Sequence, residues 1–388
     1  MNNGYESDNE KKRDFKFEDY LSDNGDPGPE AASEPTQEQR AQRRISRRLV
    51  SAIGESASPD RAESGSSDDD VVDADAAVDE QDSNPAARED SRRRITERIA
   101  WSTKQKLTIA FQGEAGAYSE QALLSYFGPD VTSLPCTDFR GIFDAIHSDK
   151  AQRGILPVEN SLAGTVNAAY DQLIDHDLRI QGEVILRVEH CLMAPAGMKL
   201  ADVKRVKSHP QALAQCQRTL RRLRIESIVH YDTAGAARDL AAKPEPGTAA
   251  IASALAANTY GLEILAHHLE DEPLNYTRFF ILGLADPPRR DPSKTSIIFT
   301  TRHQPGALHQ VLSELADREI NLTKIESRPR RNRPWHYLFY VDFEGHEDQP
   351  EVREALLGIL KQASFLKVLG SYPTAPLPLS DQDLSGRD

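Results

Sequence analysis

The chain has 388 residues, with 47 lysines and arginines against 61 aspartates and glutamates and three cysteines, a length that allows two or three domains. The acidic excess is concentrated in residues 1–100 and the rest is close to balanced, so neither part offers the basic surface of a nucleic-acid binder. The cysteines have no paired or metal-ligand spacing, no apolar run reaches the roughly 18 residues of a membrane span, and the N-terminus MNNGYESDNEKK lacks both a signal peptide's apolar core and a transit peptide's poverty in acid; the expectation is a cytoplasmic chain with no membrane association.

Residues 1–104 read as a disordered acidic extension, too poor in large apolar side chains to offset the entropy of ordering. Two basic patches interrupt it, RRISRRLV at 43–50 and RRRITERIA at 92–100. Each is either solvated tail with local helix or a short amphipathic helix that docks on a partner or on the folded body. Order is expected from Lys106. LTIAF is a buried strand, Gly113 and Gly116 end it, and AYSEQALLSYF has helical spacing. Further strand-then-helix units follow: RGILPVENS with VNAAYDQLI, VKRVKSHPQ with ALAQCQRTLRRL, ESIVHYDT with AGAARDLAA, and TAAIAS with ALAANTYG. Such alternation predicts α/β units on largely parallel sheets. Two long extended runs, 180–194 and 275–284, are expected to cross between two lobes, with a cleft where strand ends meet helix starts. The two lobes occupy 105–285, and DPPRRDPS at 286–293 is a linker. Residues 294–374 read β-α-β-β-α-β, the ferredoxin-like order, and 375–388 a loose tail.

Several strand ends finish in small or hydrogen-bonding residues just as a helix begins: Gly113 to Ser119, Glu159-Asn160-Ser161, Ser208-His209-Pro210-Gln211 and Asp232-Thr233. Helix N-termini attract carboxylates and phosphates, so their convergence suits a small, multiply charged anion; the alternative is ordinary capping. GEAGAYSE lacks the Gly-Lys-Ser/Thr ending of a phosphate loop.

LPVENSLAGTV (156–166), SHPQALAQC (208–216), DTAGAA (232–237) and NYTRFFILG (275–283) resemble the motif set of prephenate and arogenate dehydratases, and PGALHQVLSELADREINLTKIESRP (305–329) resembles their ACT domain. The match runs over about 106–373 in the family's order, closer to its plant-like branch. It implies a periplasmic-binding-protein-like two-lobed catalytic domain followed by a regulatory ACT domain. It also implies a reaction without cofactor or metal: prephenate loses its ring carboxylate as carbon dioxide and its 4-hydroxyl as water, giving phenylpyruvate. By the same resemblance Thr277, in Thr277-Arg278-Phe279, is the essential residue and bonds the departing oxygen. Threonine is a weak acid, so Glu159 is the candidate second proton source if burial raises its pKa. Asn160, Ser161 and Thr165 are expected on the substrate carboxylates, with Ser208, His209, Gln211 and Thr233 on the opposite wall. Arg278 either grips a carboxylate bidentately or forms a structural ion pair; His209 is either an acid or the shaper of a turn. In the ACT unit Gly306, Ala307, Leu308, Glu326, Ser327, Arg328 and Pro329 are expected to bind phenylalanine between paired domains, which implies feedback inhibition and a homodimer or homotetramer.

Blander expectations attach to other residues. His267-His268 with Glu270-Asp271 read as solvated surface, and Cys191 and Cys216 as packed apolar groups. Trp335 is an interface anchor or the start of a strand. The competing readings are an arogenate dehydratase, a non-catalytic ligand sensor on the same scaffold, and a transcriptional regulator; no helix-turn-helix pattern supports the last.

Overall fold

A computed structural model describes residues 106–330 and 333–376. The acidic extension, its basic patches, the side chain of Trp335 and the tail from 377 onward lie outside the described residues.

The first sheet is built from β1 (Thr108–Gln112), β2 (Thr132–Cys136), β3 (Arg153–Asn160), the short β4 (Gly164–Thr165), β5 (Arg179–Arg187) and β11 (Tyr276–Gly283), in the order β2-β1-β3-β11-β5 with β4 beside β3. Helices α1 (Tyr118–Phe127), α2 (Phe139–His147) and α3 (Asn167–Asp175) belong to this lobe. The second sheet, β10-β6-β9-β7-β8, uses β6 (Cys191–Ala194), β7 (Arg205–Ser208), β8 (Glu226–Val229), β9 (Thr248–Ala252) and β10 (Glu263–Ala266). It carries α4 (Pro210–Gln215), α5 (Gln217–Leu223), α6 (Thr233–Ala242) and α7 (Ala254–Tyr260).

The expected crossing is present. The run 180–194 divides at 188–190 into β5 of the first sheet and β6 of the second, and β11 brings the chain back. The two crossings lie side by side: Val188 N–H donates to the Asn275 carbonyl at 2.7 Å and Leu269 N–H to the His190 carbonyl at 3.0 Å. This geometry corrects the expectation of largely parallel sheets. Only β2-β1-β3 and β8-β7-β9 are parallel, whereas β5 and β11 run antiparallel to their neighbours. β11 is the strand entered from a lobe crossing rather than through a helical crossover, the connection a parallel pair requires; β5, reached through α3, points the same way as β3 with β11 running against both.

Two smaller departures have local causes. β2 and α2 escape the sequence pattern because Pro135 sits in the strand and Gly141 in the helix; β2 is an edge strand, where proline is tolerated. The helix expected over ALAQCQRTLRRL breaks at Cys216, because the Asp271 carboxylate takes the N–H groups of Arg218 (2.7 Å) and Thr219 (3.0 Å) and starts a new helix there.

The C-terminal unit follows the expected order: β12 (Ser293–Thr301), α8 (Ala307–Ala316), β13 (Leu322–Arg330), β14 (Arg333–Glu344), α9 (Pro350–Gln362) and β15 (Ala363–Pro373), with strand order β13-β14-β12-β15. One face of this sheet packs Ile297, Phe299, Val341 and Phe343 against Val311, Leu315, Val352 and Leu356 of its helices. The other face lies on the first lobe, where Ile298, Leu338, Tyr340 and Tyr372 share one apolar cluster with Tyr170, Phe280 and Leu282. Tyr340 meets Tyr170 edge-on with centroids 4.6 Å apart.

Candidate active site

The cleft between the lobes has a volume of about 320 Å³. Its first wall includes Gln112, Tyr118, Ser119, Asn160, Thr277 and Phe279; its second includes His209, Gln211, Gln215, Tyr231, Asp232 and Thr233. The turn before α1 is held against the second lobe. Gly116 has φ +84° and its Cα hydrogens face Ala256, whose Cα would lie 2.6 Å from any added Cβ. The Gly116 carbonyl accepts from Ser253 Oγ at 2.5 Å, and Arg238 pairs with Glu114 at 2.6 Å. A glycine is therefore required here both for its backbone and for the approach.

β11 and β3 are antiparallel, with Thr277 opposite Asn160 and Arg278 opposite Glu159. Successive side chains of a strand point to opposite faces. That register turns Thr277 and Asn160 to the cleft together, and Arg278 and Glu159 away from it together.

Asn160 is buried and fully engaged. Its Oδ1 accepts the N–H groups of Leu162 (3.1 Å) and Ala163 (2.9 Å), and its Nδ2 lies within bonding distance of Asn275 Oδ1 (2.8 Å), the Tyr276 carbonyl (3.1 Å) and Thr277 Oγ1 (3.0 Å). Thr277 Oγ1 is the acceptor in its bond with Asn160, so the threonine's own O–H is left to donate elsewhere. Behind this pair a chain of side chains crosses the floor of the cleft. Asn275 Nδ2 donates to Gln215 Oε1 (3.2 Å), which also meets His190 Nε2 (2.8 Å), and His190 Nδ1 meets the Tyr118 hydroxyl (2.7 Å). Burial lowers the His190 pKa and raises that of Tyr118 well above its usual value. A neutral imidazole protonated on Nε2 satisfies the chain, with the Tyr118 O–H shared between Nδ1 and the Glu189 carbonyl at 3.0 Å. Tyr118, His190, Gln215 and Asn275 are among the site residues the sequence did not single out.

Of the residues expected from sequence, Asn160, Thr277, Phe279, His209, Gln211 and Thr233 line the cleft. Ser161 instead pins the loop, donating to the Leu274 carbonyl at 2.8 Å and accepting from Tyr276 N–H at 2.9 Å. Ser208 does not face the cleft; it is fully buried and donates to the Ile251 carbonyl at 2.7 Å. Cys191 and Cys216 are buried, and burial raises both thiols, Cys191 to about 11. Glu270 and Asp271 are not a solvated pair. The Glu270 carboxylate accepts the His190 N–H at 2.8 Å, and Asp271 caps α5.

Glu159, Arg278 and Thr165 are turned to the C-terminal unit. Arg278 donates to Glu183 (2.6 Å), Asp342 (2.6 Å) and the Tyr372 hydroxyl (3.0 Å), and its guanidinium lies 4.8 Å from the Phe280 centroid. Burial opposes its charge, but Asp342, the Tyr372 phenol and Glu183 outweigh burial and raise its pKa. Glu159 pairs with Lys324 at 2.7 Å, and Thr165 bonds Glu326 at 3.2 Å. The expectation that Glu159 and Thr165 reach substrate is therefore corrected, and of the two readings of Arg278 the structural ion pair holds rather than the carboxylate grip, because the alternation of β3 and β11 points Glu159 and Arg278 away from the cleft and Thr165 is engaged by β13.

The same interface takes two of the expected effector residues. Glu326 holds Thr165, and Arg328 donates to Asp171 (2.6 Å) and the Asn167 carbonyl (2.7 Å). Ser327 and Pro329 lie on the opposite, exposed side of β13. Gly306, at φ +77°, caps α8 with Ala307 buried and Leu308 packed against the helix-side core. Lys367 reaches the other way, donating to the carbonyls of Leu173 (2.8 Å), Ile174 (3.1 Å) and His176 (2.7 Å) at the end of α3.

Two α/β lobes around a cleft, with a ferredoxin-like unit docked on one of them, define a two-lobed cleft protein with a C-terminal appendage. The prephenate dehydratase family model matches residues 109–287 and the ACT domain model residues 295–360. Arogenate dehydratase/prephenate dehydratase 2, chloroplastic, of Arabidopsis thaliana is 42% identical over 73% of this chain and 76% of its own length. A prephenate dehydratase solved in complex with L-Phe from Arthrobacter aurescens is 32% identical with a TM-score of 0.65, covering 71% of this chain and 94% of that one. A structure described as GqqA, a novel type of quorum quenching acylase, is 38% identical, also with a TM-score of 0.65, over 69% of this chain and 98% of that one. The chain belongs to the prephenate dehydratase family of hydro-lyases and carries that family's C-terminal ACT domain. Among the described residues no helix is long and apolar enough to cross a membrane.

Proposed function

We propose that the chain converts prephenate to phenylpyruvate, with carbon dioxide and water as the other products, in the formation of phenylalanine. The same machinery serves the amino analogue, arogenate, which would yield phenylalanine directly; the plant relatives are named for both substrates. As the ring carboxylate leaves, its bonding pair enters the ring, the bond to the 4-hydroxyl breaks, and the departing hydroxide takes a proton to become water. Aromatisation drives the step, so the protein has to hold the carboxylates, exclude alternatives and supply one proton. Thr277 supplies it and is reprotonated from solvent. The observation that carries this reading is the Asn160–Thr277 bond: at 3.0 Å it makes Oγ1 the acceptor and frees the threonine O–H for the leaving oxygen. Hydroxyl and amide groups, including Ser119 and Gln211, with the N-terminus of α1, are suited to the substrate carboxylates.

The 38% identical structure described as an acylase suggests no second reading. Acyl transfer needs an activated nucleophile, and among the described residues no cleft serine or threonine hydroxyl is bonded to a histidine or carboxylate. The ACT unit is proposed to bind phenylalanine around Gly306–Leu308 and the free side of β13, between paired copies, and to inhibit the lyase by a shift between lobe arrangements. The compartment is proposed to be the cytoplasm, with the plastid as the alternative raised by the names of the plant relatives.

The test is single-turnover conversion of prephenate and arogenate by wild type and Thr277→Ala, with calorimetric titration of phenylalanine alongside. The reading requires turnover by wild type, its near-complete loss in the variant, and saturable phenylalanine binding. A wild type that binds phenylalanine but turns over neither substrate would make the chain a sensor.

A further inference from the structure

We infer that Asp232 is the specificity-determining residue of the cleft, pairing with a substrate ammonium, and that it makes the amino acid arogenate the preferred substrate over the keto acid prephenate. This rests on the dehydratase reading above and sharpens it to one substrate. Asp232 is the one aspartate or glutamate among the described residues lining the cleft, and none of those residues is an arginine or lysine. The carboxylate sits where α6 begins: Oδ1 accepts the Gly235 N–H at 2.7 Å, while Oδ2 faces across the cleft to the Gly113 turn of the other lobe, 3.7 Å from the position a Cβ would take there. The nearest basic residue on α6, Arg238, is committed to Glu114 (2.6 Å) and Asp239 (2.9 Å).

Among the described residues this carboxylate has no salt-bridge partner. Burial raises its pKa, the Gly235 N–H works against that, Glu114 adds to it, and the Ala234 N–H and His209 oppose it. An unpaired charge in a partly dry cleft is costly. Both candidate substrates bring two carboxylates, which repel Asp232. Arogenate also brings an ammonium, which can donate to Oδ2 and neutralise it. Prephenate brings a keto oxygen in the same place, an acceptor facing an acceptor. Selection between the two therefore has an attractive and a repulsive part at a single residue, the arrangement by which specificity is most readily achieved.

The cap gives a clean experiment, because asparagine caps a helix as well as aspartate does. Asp232→Asn keeps an Oδ1 for the Gly235 N–H and removes only the charge; Asp232→Ser is a second neutral cap should the first fold poorly. In the full chain, kcat/KM is measured for arogenate and prephenate in wild type and both variants. The expected result is a wild type that prefers arogenate, and a ratio of kcat/KM, arogenate over prephenate, that falls roughly tenfold to a hundredfold in each variant, the range of a hydrogen-bonded charge pair. An unchanged ratio, whether both rates fall together or neither moves, makes Asp232 a helix cap only and overturns the inference while leaving the dehydratase reading standing. A wild type that prefers prephenate also overturns it alone. A wild type that acts on neither substrate removes the dehydratase reading with it.

Discussion

The two faces of the β3–β11 strand pair use opposite chemistry. On the cleft face, Asn160 and Thr277 are uncharged and joined to one another. On the other face, Arg278 sits 12% exposed between Glu183 and Asp342, whose side chains are 1% and 4% exposed. The cleft is proposed to receive a substrate that brings its own charges, and on this strand pair it meets them with neutral donors and acceptors, the one carboxylate lining it standing on the opposite wall. The interface meets only its own chain, so charges can be buried there once every one is paired and fixed. An arginine adjacent in sequence to the threonine proposed as proton donor is thereby a joint between two folded units.

The largest test of that contrast is Thr277→Ala, expected to lower kcat by about 10²–10⁴-fold, the range of general acid catalysis, with thermal melting nearly unchanged. A large loss of stability in this variant would show that the cleft face is structural too. Arg278→Met should do the converse. It leaves Glu183 and Asp342 without their guanidinium and should cost about 3–5 kcal/mol of stability, read by urea unfolding, while the folded fraction keeps a near-normal KM. A raised KM at unchanged stability would return Arg278 to the substrate. Lys367→Met removes the donor for three helix-end carbonyls and should cost about 3 kcal/mol. Burial lowers the Lys367 amine to about 8 from 10.5. Between those values the unfolded chain holds more protons than the folded one, so the wild-type contribution rises with pH and its gap over the variant should widen from pH 8 upward. The smallest effect is expected from Glu159→Gln. Its carboxylate is 36% exposed and paired with Lys324, a setting worth about 0–1 kcal/mol, and kcat should change by less than about threefold, since general acid loss costs far more. A loss of hundreds-fold would restore Glu159 as the acid.

The legible part of the fold was what local pattern encodes. Alternation in YLFYVDF and helical spacing in GALHQVLSELADR carry the ferredoxin-like order, and the unusual length of 180–194 marks a lobe crossing, though not its division into two strands. Within the site, motif resemblance located Thr277 and Asn160 but treated whole motifs as facing one way. Which of Glu159 and Asn160 meets the cleft is decided by strand register, and register is set by pairing across more than a hundred residues. His190, Gln215 and Asn275 lie on three separate segments, and nothing near any of them announces that they touch. The break at Cys216 has the same origin, a cap supplied by Asp271 from beyond the second sheet.

The shared apolar cluster beneath the C-terminal sheet has a further consequence. Ile298, Leu338, Tyr340 and Tyr372 complete a surface whose other half is Tyr170, Phe280 and Leu282, so a chain cut within 286–293 would wet both halves. The catalytic and ACT units should then melt in a single cooperative transition, and the short proline-rich segment between them is no seam for exchanging modules. Swapping ACT units among relatives should succeed only where the buried faces match, which ties the inheritance of the sensor to that of the lobe it covers.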